Sequence, residues 1–340
     1  GVWIYHINRL LLVIALSHPL PAPCLSLTLF KALVVTFISL THMKLSVATL
    51  AAAATALFAA TPVVADFHYG FPWGTFNAWA KTIDKKNVTW YHHWQDGYVK
   101  ELKGLEYVPT FWGPTKMHEW HQRKKEIHDM HIEHILSFNE PDIKGQANID
   151  PDTAVSLFMQ ELQPYALKGI KVSAPQMVWD MDWISKFMDK CHAAGCKISF
   201  MALHWYGGPD EIDSFKNWVK TIHDKFNLPI WMTEYGLTNK SNPSQKDVDR
   251  FMRETIEWMK SQPYVERAAW NGCFDVLNPP DSFLSPMNAY FADNGAVTRL
   301  TASTWLAGLG NIFASNPSLK VVDNTPNTKG HKSQHKRLLM

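Results

Sequence analysis

Between Phe67 and Leu309 the chain alternates short β-rich runs with amphipathic stretches eight times. The strand-like runs are Phe67-His68-Tyr69-Gly70-Phe71, Val88-Thr89-Trp90-Tyr91, Glu106 to Phe111, His134 to Phe138, Lys171-Val172-Ser173-Ala174, Ile198 to Leu203, Ile230-Trp231-Met232-Thr233 and Arg267 to Trp270. Helical spacing follows each: from about Asn77, Tyr98 to Leu102, Lys116 to Met130, Pro151 to Leu167, Asp182 to Ala194, Glu211 to Phe226, Gln245 to Lys260, and Ala302 to Leu309. Asp150 before Pro151 is an N-cap followed by proline at the first helical position. Strands that alternate with helices predict a parallel sheet. Eight such units predict closure into a single (β/α)8 TIM barrel. An open doubly wound sheet is the runner-up, and it lacks a glycine-rich phosphate loop after the first strand.

The ends of the chain read differently. Met43-Lys44, the apolar run Leu45 to Ala60 and Val63-Val64-Ala65 before Asp66 have the form of a secretory signal over 43–65. Residues 1–42 precede a good start at Met43 and read as upstream sequence. Pro19, Pro21 and Pro23 interrupt the alternative, a membrane segment from Leu10 to Leu40. The catalytic domain is placed at 66–316 and a disordered basic tail at 317–340. Secretion agrees with the sequons Asn87-Val88-Thr89 and Asn239-Lys240-Ser241. It would allow Cys191 and Cys196 to pair; buried free thiols are the other reading. The tail has no hydrophobic stretch of the kind a lipid anchor needs, so no integral membrane anchor is expected in the mature form.

Charge narrows the partners. The chain has 33 Lys+Arg and 31 Asp+Glu, but from Asp66 to Asn316 there are 25 basic and 30 acidic side chains. A mildly acidic body is a poor polyanion binder, so no nucleic acid is expected. Fifteen tryptophans suit a protein that holds flat ligands such as sugar rings, or one with a large aromatic core.

In a barrel, chemistry sits where strands end. Strand four ends in Phe138-Asn139-Glu140-Pro141-Asp142 and strand seven in Thr233-Glu234-Tyr235-Gly236. Strand six ends in His204-Trp205-Tyr206, strand two in Tyr91-His92-His93-Trp94, strand three in Trp112, and strand eight carries Trp270 and Asn271. Glu140 and Glu234 would project into one pocket. Two carboxylates flanking one bond are what glycoside hydrolysis needs, one protonated to serve the leaving oxygen and one ionised to attack.

These motifs carry a resemblance. Asn139-Glu140-Pro141 with a glutamate after strand seven resembles the clan of retaining (β/α)8 glycosidases. "VPTFWG", "SFNEPD", "SAPQMVW", "ALHWYG", "PIWMTEYG" and "VERAAW" together resemble the fungal alkali-sensitive-linkage proteins of glycoside hydrolase family 128. The resemblance implies a retaining endo-β-1,3-glucanase, with Glu140 as acid/base, Glu234 as nucleophile and Asn139 on the sugar 2-hydroxyl. Tyr206 is a candidate to hold the nucleophile and His204 to bond near it or to substrate. Trp112, Trp205, Trp270 and Tyr91 are candidates for the glucan-binding surface. Strand eight, "AAWNGCF", and the two histidines of "YHHWQ" depart from the family pattern.

No cofactor is implied, since this chemistry runs on carboxylates and water. His118, His121, His128, His131 and His134 lack metalloprotease spacing and read as a solvated helix face. The rival functions are a non-catalytic wall-glucan binder, a transglycosylase using the same intermediate, and a glycanase for 1,4-links. The expected enzyme is a secreted or cell-wall monomer acting on β-1,3-glucan.

Overall fold

The computed structural model describes residues 67–74, 77–82, 88–94 and 97–291. All lie within the compact unit Val63–Met340. The signal segment, the tail, the Asn87 sequon and the helix expected near Ala302 to Leu309 fall outside the described residues. Among the described residues no helix is long and apolar enough to cross a membrane.

The eight expected strands are present: β1 His68–Trp73, β2 Trp90–His93, β3 Glu106–Val108, β4 His134–Ile135, β5 Lys171–Met177, β6 Phe200–Gly207, β7 Ile230–Leu237 and β8 Val265–Trp270. They form one parallel sheet in the order β3-β2-β1-β8-β7-β6-β5-β4. The ring closes between β3 and β4. There Leu136 N–H donates to Pro109 O and Phe111 N–H to Leu136 O, each at 2.9 Å. This is the (β/α)8 barrel that the alternation predicts.

The helices begin and end where their sequences dictate. Asp150 accepts from Thr153 N–H at 2.9 Å, ahead of Pro151 in Pro151–Leu157. A π-helical turn, Phe158–Leu162, joins that helix to Gln163–Leu167. Ser244 and Asp247 form a reciprocal capping box for Gln245–Ser261. Met181–Ala194 stops at Gly195, whose φ of 80° is a left-handed conformation that glycine adopts without Cβ strain. Just past that stop, Cys196 turns back and forms a disulfide with Cys191.

Strand parity divides the core in two. Trp90, Val108, Leu136, Phe200, Ala202, Trp231 and Ala269 fill the barrel interior. The alternate residues pack outward against the helices. Phe200 stacks on Trp231 at 4.0 Å, and the Arg267 guanidinium lies 4.0 Å from the centre of the Trp231 ring while pairing with Glu106 at 2.7 Å. This filled floor leaves the C-terminal ends of the strands as the place for a cleft. His118, His121, His128 and His131 are exposed, whereas His134 turns inward on β4 and bonds Glu106 at 2.5 Å.

Candidate active site

A β-bulge aims Glu234. Along β7, Met232 pairs with Leu203 and Glu234 pairs with His204, so Thr233 is an extra residue. Against β8 the same three-residue step, Met232 to Tyr235, faces only Ala268 to Trp270. Trp231 faces the interior and Met232 the helices. Strict alternation would send Glu234 outward with Met232. The bulge resets the phase and turns its carboxylate into the barrel mouth. His92 steadies the bulge: its Nε2 lies 2.9 Å from Thr233 O, which as a carbonyl can only accept. The Nε2 therefore carries the proton. Burial pushes the His92 imidazole down to about 3, so the ring is neutral at physiological pH.

Glu140 reaches the same point by another device. It follows the end of β4 with φ 45°, a left-handed conformation unusual for a side-chain-bearing residue, all the more so before Pro141. Its N–H donates to Gln176 O at 3.0 Å and its carbonyl accepts from Ile143 N–H at 3.1 Å. The strain is held by both flanks of the turn, as at many functional positions.

His204 lies between the two carboxylates. Its Nδ1 is 2.8 Å from Glu140 Oε1 and its Nε2 is 3.3 Å from Glu234 Oε1. Ligand atoms of Glu140, His204 and Glu234 all lie within 4.8 Å of one another. Gln176 Oε1 also faces Nε2 at 3.4 Å; its own amide is oriented by Nε2 donating to Ser137 O and by Thr233 Oγ1 donating to Oε1. Both ring nitrogens thus face acceptors, which suits the doubly protonated ring. Burial alone would lower this imidazole. The Glu234 charge and the bond to Glu140 outweigh burial and hold it above the ordinary histidine range. The ring's two nitrogens are spent on proton-mediated contacts, so the grouping reads as a proton-sharing centre.

Glu234 is served by further donors. Tyr206 OH donates to Oε2 at 2.6 Å, Trp94 Nε1 to Oε1 at 2.5 Å and Asn271 Nδ2 to Oε2 at 3.4 Å. Asn271 also donates to the Tyr206 hydroxyl at 2.8 Å. Burial pushes Glu234 up and the Glu140 charge adds to it, while His204, Tyr206 and Trp94 pull it back. Only an ionised carboxylate uses all these donors. Asn139 is buried; its Nδ2 donates to Gln146 Oε1 at 3.1 Å, and its Oδ1 has no hydrogen-bond partner among the described residues.

The structure brings together Glu140, Glu234, Asn139, His204 and Tyr206. It separates three other candidates from the cleft, and the reason is the same for each. Tyr91 alternates with inward Trp90; its ring stacks on Tyr107 and its hydroxyl accepts from Val99 N–H at 2.9 Å. Trp205 alternates with inward His204 and stacks on Phe251 at 5.1 Å. Trp270 alternates with inward Ala269, meets Tyr235 edge-on at 5.0 Å, and its Nε1 donates to Asn288 O at 3.1 Å. All three are buried against the helix side of the sheet, where no ring face meets a sugar. Trp112 is half-buried at the rim with the Lys116 ammonium 5.9 Å from its ring. Trp94, Asn271 and Gln176 were not singled out from sequence. Parity finds Trp94 and Asn271, each an inward position just past a strand end; Gln176 escapes it, because a bulge between Ser173 and Gln176 shifts the phase of β5.

Known proteins share this arrangement of strands. The glycosyl hydrolase catalytic core family matches residues 70–303. Alkali-sensitive linkage protein 1 of Schizosaccharomyces pombe is 29% identical over 211 residues, 59% of this chain; the match spans only 38% of that protein's length. A family 128 (subgroup III) curdlan-specific exo-β-1,3-glucanase from Blastomyces gilchristii, solved with glucose, superposes with a TM-score of 0.57. It is 24% identical, over 73% of this chain and 98% of that one. A family 128 (subgroup I) endo-β-1,3-glucanase from Amycolatopsis mediterranei, solved with laminaritriose, gives a TM-score of 0.52. It is 26% identical, over 60% of this chain and 87% of that one. With the family match covering most of the chain, and a barrel fold to go with it, this protein belongs to the glycosyl hydrolase catalytic core family and is a glycoside hydrolase.

Proposed function

We propose that this protein is a secreted, monomeric endo-β-1,3-glucanase that cleaves wall-type glucan with retention, using no cofactor. The observation that carries the reading is the carboxylate pair, with ligand atoms of Glu140, His204 and Glu234 within 4.8 Å. Retaining glycosidases hold their carboxyl groups about 5–5.5 Å apart, whereas inverting ones need about 6.5–9.5 Å to admit a water. The glucanases from Blastomyces gilchristii and Amycolatopsis mediterranei support the β-1,3 linkage.

In the first step a Glu234 oxygen attacks the anomeric carbon as the glycosidic C–O bond breaks. Glu140 gives its proton to the departing oxygen, and a glycosyl ester on Glu234 remains. In the second step water attacks that carbon, Glu140 takes the water's proton, and Glu234 leaves as carboxylate. His204 lowers the cost of holding two carboxyl groups so close. The free Asn139 Oδ1 accepts from the sugar 2-hydroxyl, a bond that strengthens as positive charge grows on the ring.

Product analysis on linear β-1,3-glucan tests this, with Glu234→Ala alongside. A ladder of reducing oligosaccharides from the wild type, absent from the variant, is expected. Glucose alone would replace endo with exo action. No product from either, with glucan still bound, would overturn the enzyme reading for this substrate.

A further inference from the structure

One sequence motif remains unused by the catalytic account, and the fold places it beside the cleft. Asn239-Lys240-Ser241 forms a 3-10 turn two residues beyond the end of β7, the strand that carries Glu234. The Asn239 side chain is exposed, and its only hydrogen bond in the described structure is a long 3.4 Å donation to Ser282 O. Its backbone N–H is clipped to Phe283 O at 2.7 Å, and Thr238 bridges Leu284 in antiparallel register. Asn239 and Phe283 are therefore neighbours across this antiparallel bridge. Phe283 is 53% exposed, and its ring meets that of Tyr206 edge to face with centroids 5.4 Å apart. Tyr206 in turn holds Glu234.

We propose that Asn239 is an N-glycosylation site and that the first sugar of its glycan packs on the Phe283 ring. The inference rests on the secreted reading above. Chemically, the oligosaccharide is transferred from its lipid-linked diphosphate donor to Asn239 Nδ2, with loss of one proton from the amide and departure of the diphosphate. Position 240 is lysine, so no proline blocks the acceptor motif, and the turn leaves Nδ2 facing solvent with only the weak Ser282 contact to give up. A sugar face laid on an aromatic ring buries apolar surface on both. That accounts for an exposed ring at the mouth of the cleft, and it narrows the rim on the β6–β7 side, so that glucan enters past Trp112 on the opposite side.

The test uses the full chain in a eukaryotic secretory host, in one culture behind its own N-terminal sequence and in a second behind a host secretory leader. The expected result is an Asn239 peptide bearing an N-acetylhexosamine-based glycan, removed by endoglycosidase. It should be absent from Asn239→Gln and Ser241→Ala and kept in Ser241→Thr. Hydroxyl-radical footprinting should mark Phe283 several-fold more in Asn239→Gln than in the glycosylated chain. An unmodified Asn239 in chain recovered from the medium would overturn the site. Equal marking of Phe283 in both would overturn its covering. If only the leader-bearing chain leaves the cell and it carries the glycan, the site stands and native secretion falls.

Discussion

Tyr206 donates its hydroxyl to Glu234 at 2.6 Å, and Asn271 in turn donates to both. The Tyr206 ring is half-buried, and desolvation of its hydroxyl with the adjacent Glu234 charge lifts it well above the ordinary tyrosine range. It is therefore always a donor here. In the proposed mechanism Glu234 swaps its charge for an ester bond, and this donor holds the oxygen that does not attack.

Replacing Tyr206 with Phe removes that bond and keeps the ring against Phe283. A hydrogen bond to a charged group is worth about 1.5–3 kcal/mol, so kcat should fall roughly 10- to 100-fold. Melting temperature should change little. Steady-state kinetics with a thermal melt checks both; a loss of stability with kcat intact would assign Tyr206 to packing alone.

If Glu234 is the nucleophile proposed above, it must be ionised to attack, and the acid limb of the rate profile should report it. Burial and the Glu140 charge raise its pKa, so activity is lost as pH falls through a value above the usual ~4.3 of glutamate. Replacing His204 with Gln removes a cation that lowers Glu234. The limb should then move to higher pH, the opposite of what loss of a mere packing residue would do. The pH dependence of kcat/KM for both proteins is the measurement.

His92 makes a separate statement about stability. Unfolded, it takes up a proton below about pH 6.5. Folded, it stays neutral down to about 3. The unfolded state binds more protons across that window, so acid costs stability, by about 1.4 kcal/mol per pH unit from this group. His92→Phe should be less stable at pH 7, having lost the bond to Thr233. It should also lose less than the wild type between pH 7 and pH 4.5 in denaturant melts. Parallel slopes would mean that His92 is charged or solvated when folded.

Trp270 should matter to the fold and not to sugar binding. Trp270→Ala should cost about 3–5 kcal/mol, as for other buried tryptophans. The milder Trp270→Phe should leave KM for laminari-oligosaccharides within two-fold. A raised KM at unchanged melting temperature would put the ring back in the cleft.

The rhythm of eight β-rich runs was enough to read the barrel, because short runs rich in aromatic and aliphatic residues alternate with helical spacing eight times. The glutamates were legible because they stand at strand ends in aromatic, turn-rich sequence. Parity was harder. Tyr91, Trp205 and Trp270 each sit one residue from an inward neighbour, and at the short strand ends both faces are apolar or aromatic, so alternation leaves little trace. The Thr233 bulge compounds this, since it puts Glu234 on the inward face where counting by twos from Trp231 points it out. Trp94 and Asn271 are inward by alternation from His92 and Ala269, but their donation to Glu234 joins the ends of β2, β7 and β8, a contact that sequence distance hides.

The central claim is that Glu234 forms the covalent bond and Glu140 handles the proton. The most direct test is a laminari-oligosaccharide with a good leaving group and fluorine at C2 of the reacting glucose, which slows departure from the ester more than its formation. Intact mass and peptide mapping should find one glycosyl group on the Glu234 peptide, at wild-type rate in Tyr69→Phe, whose buried hydroxyl bonds that of Tyr290 at 3.0 Å, and not at all in Glu234→Gln. A label on Glu140, or turnover of the reagent with no label at any time, would contradict the account.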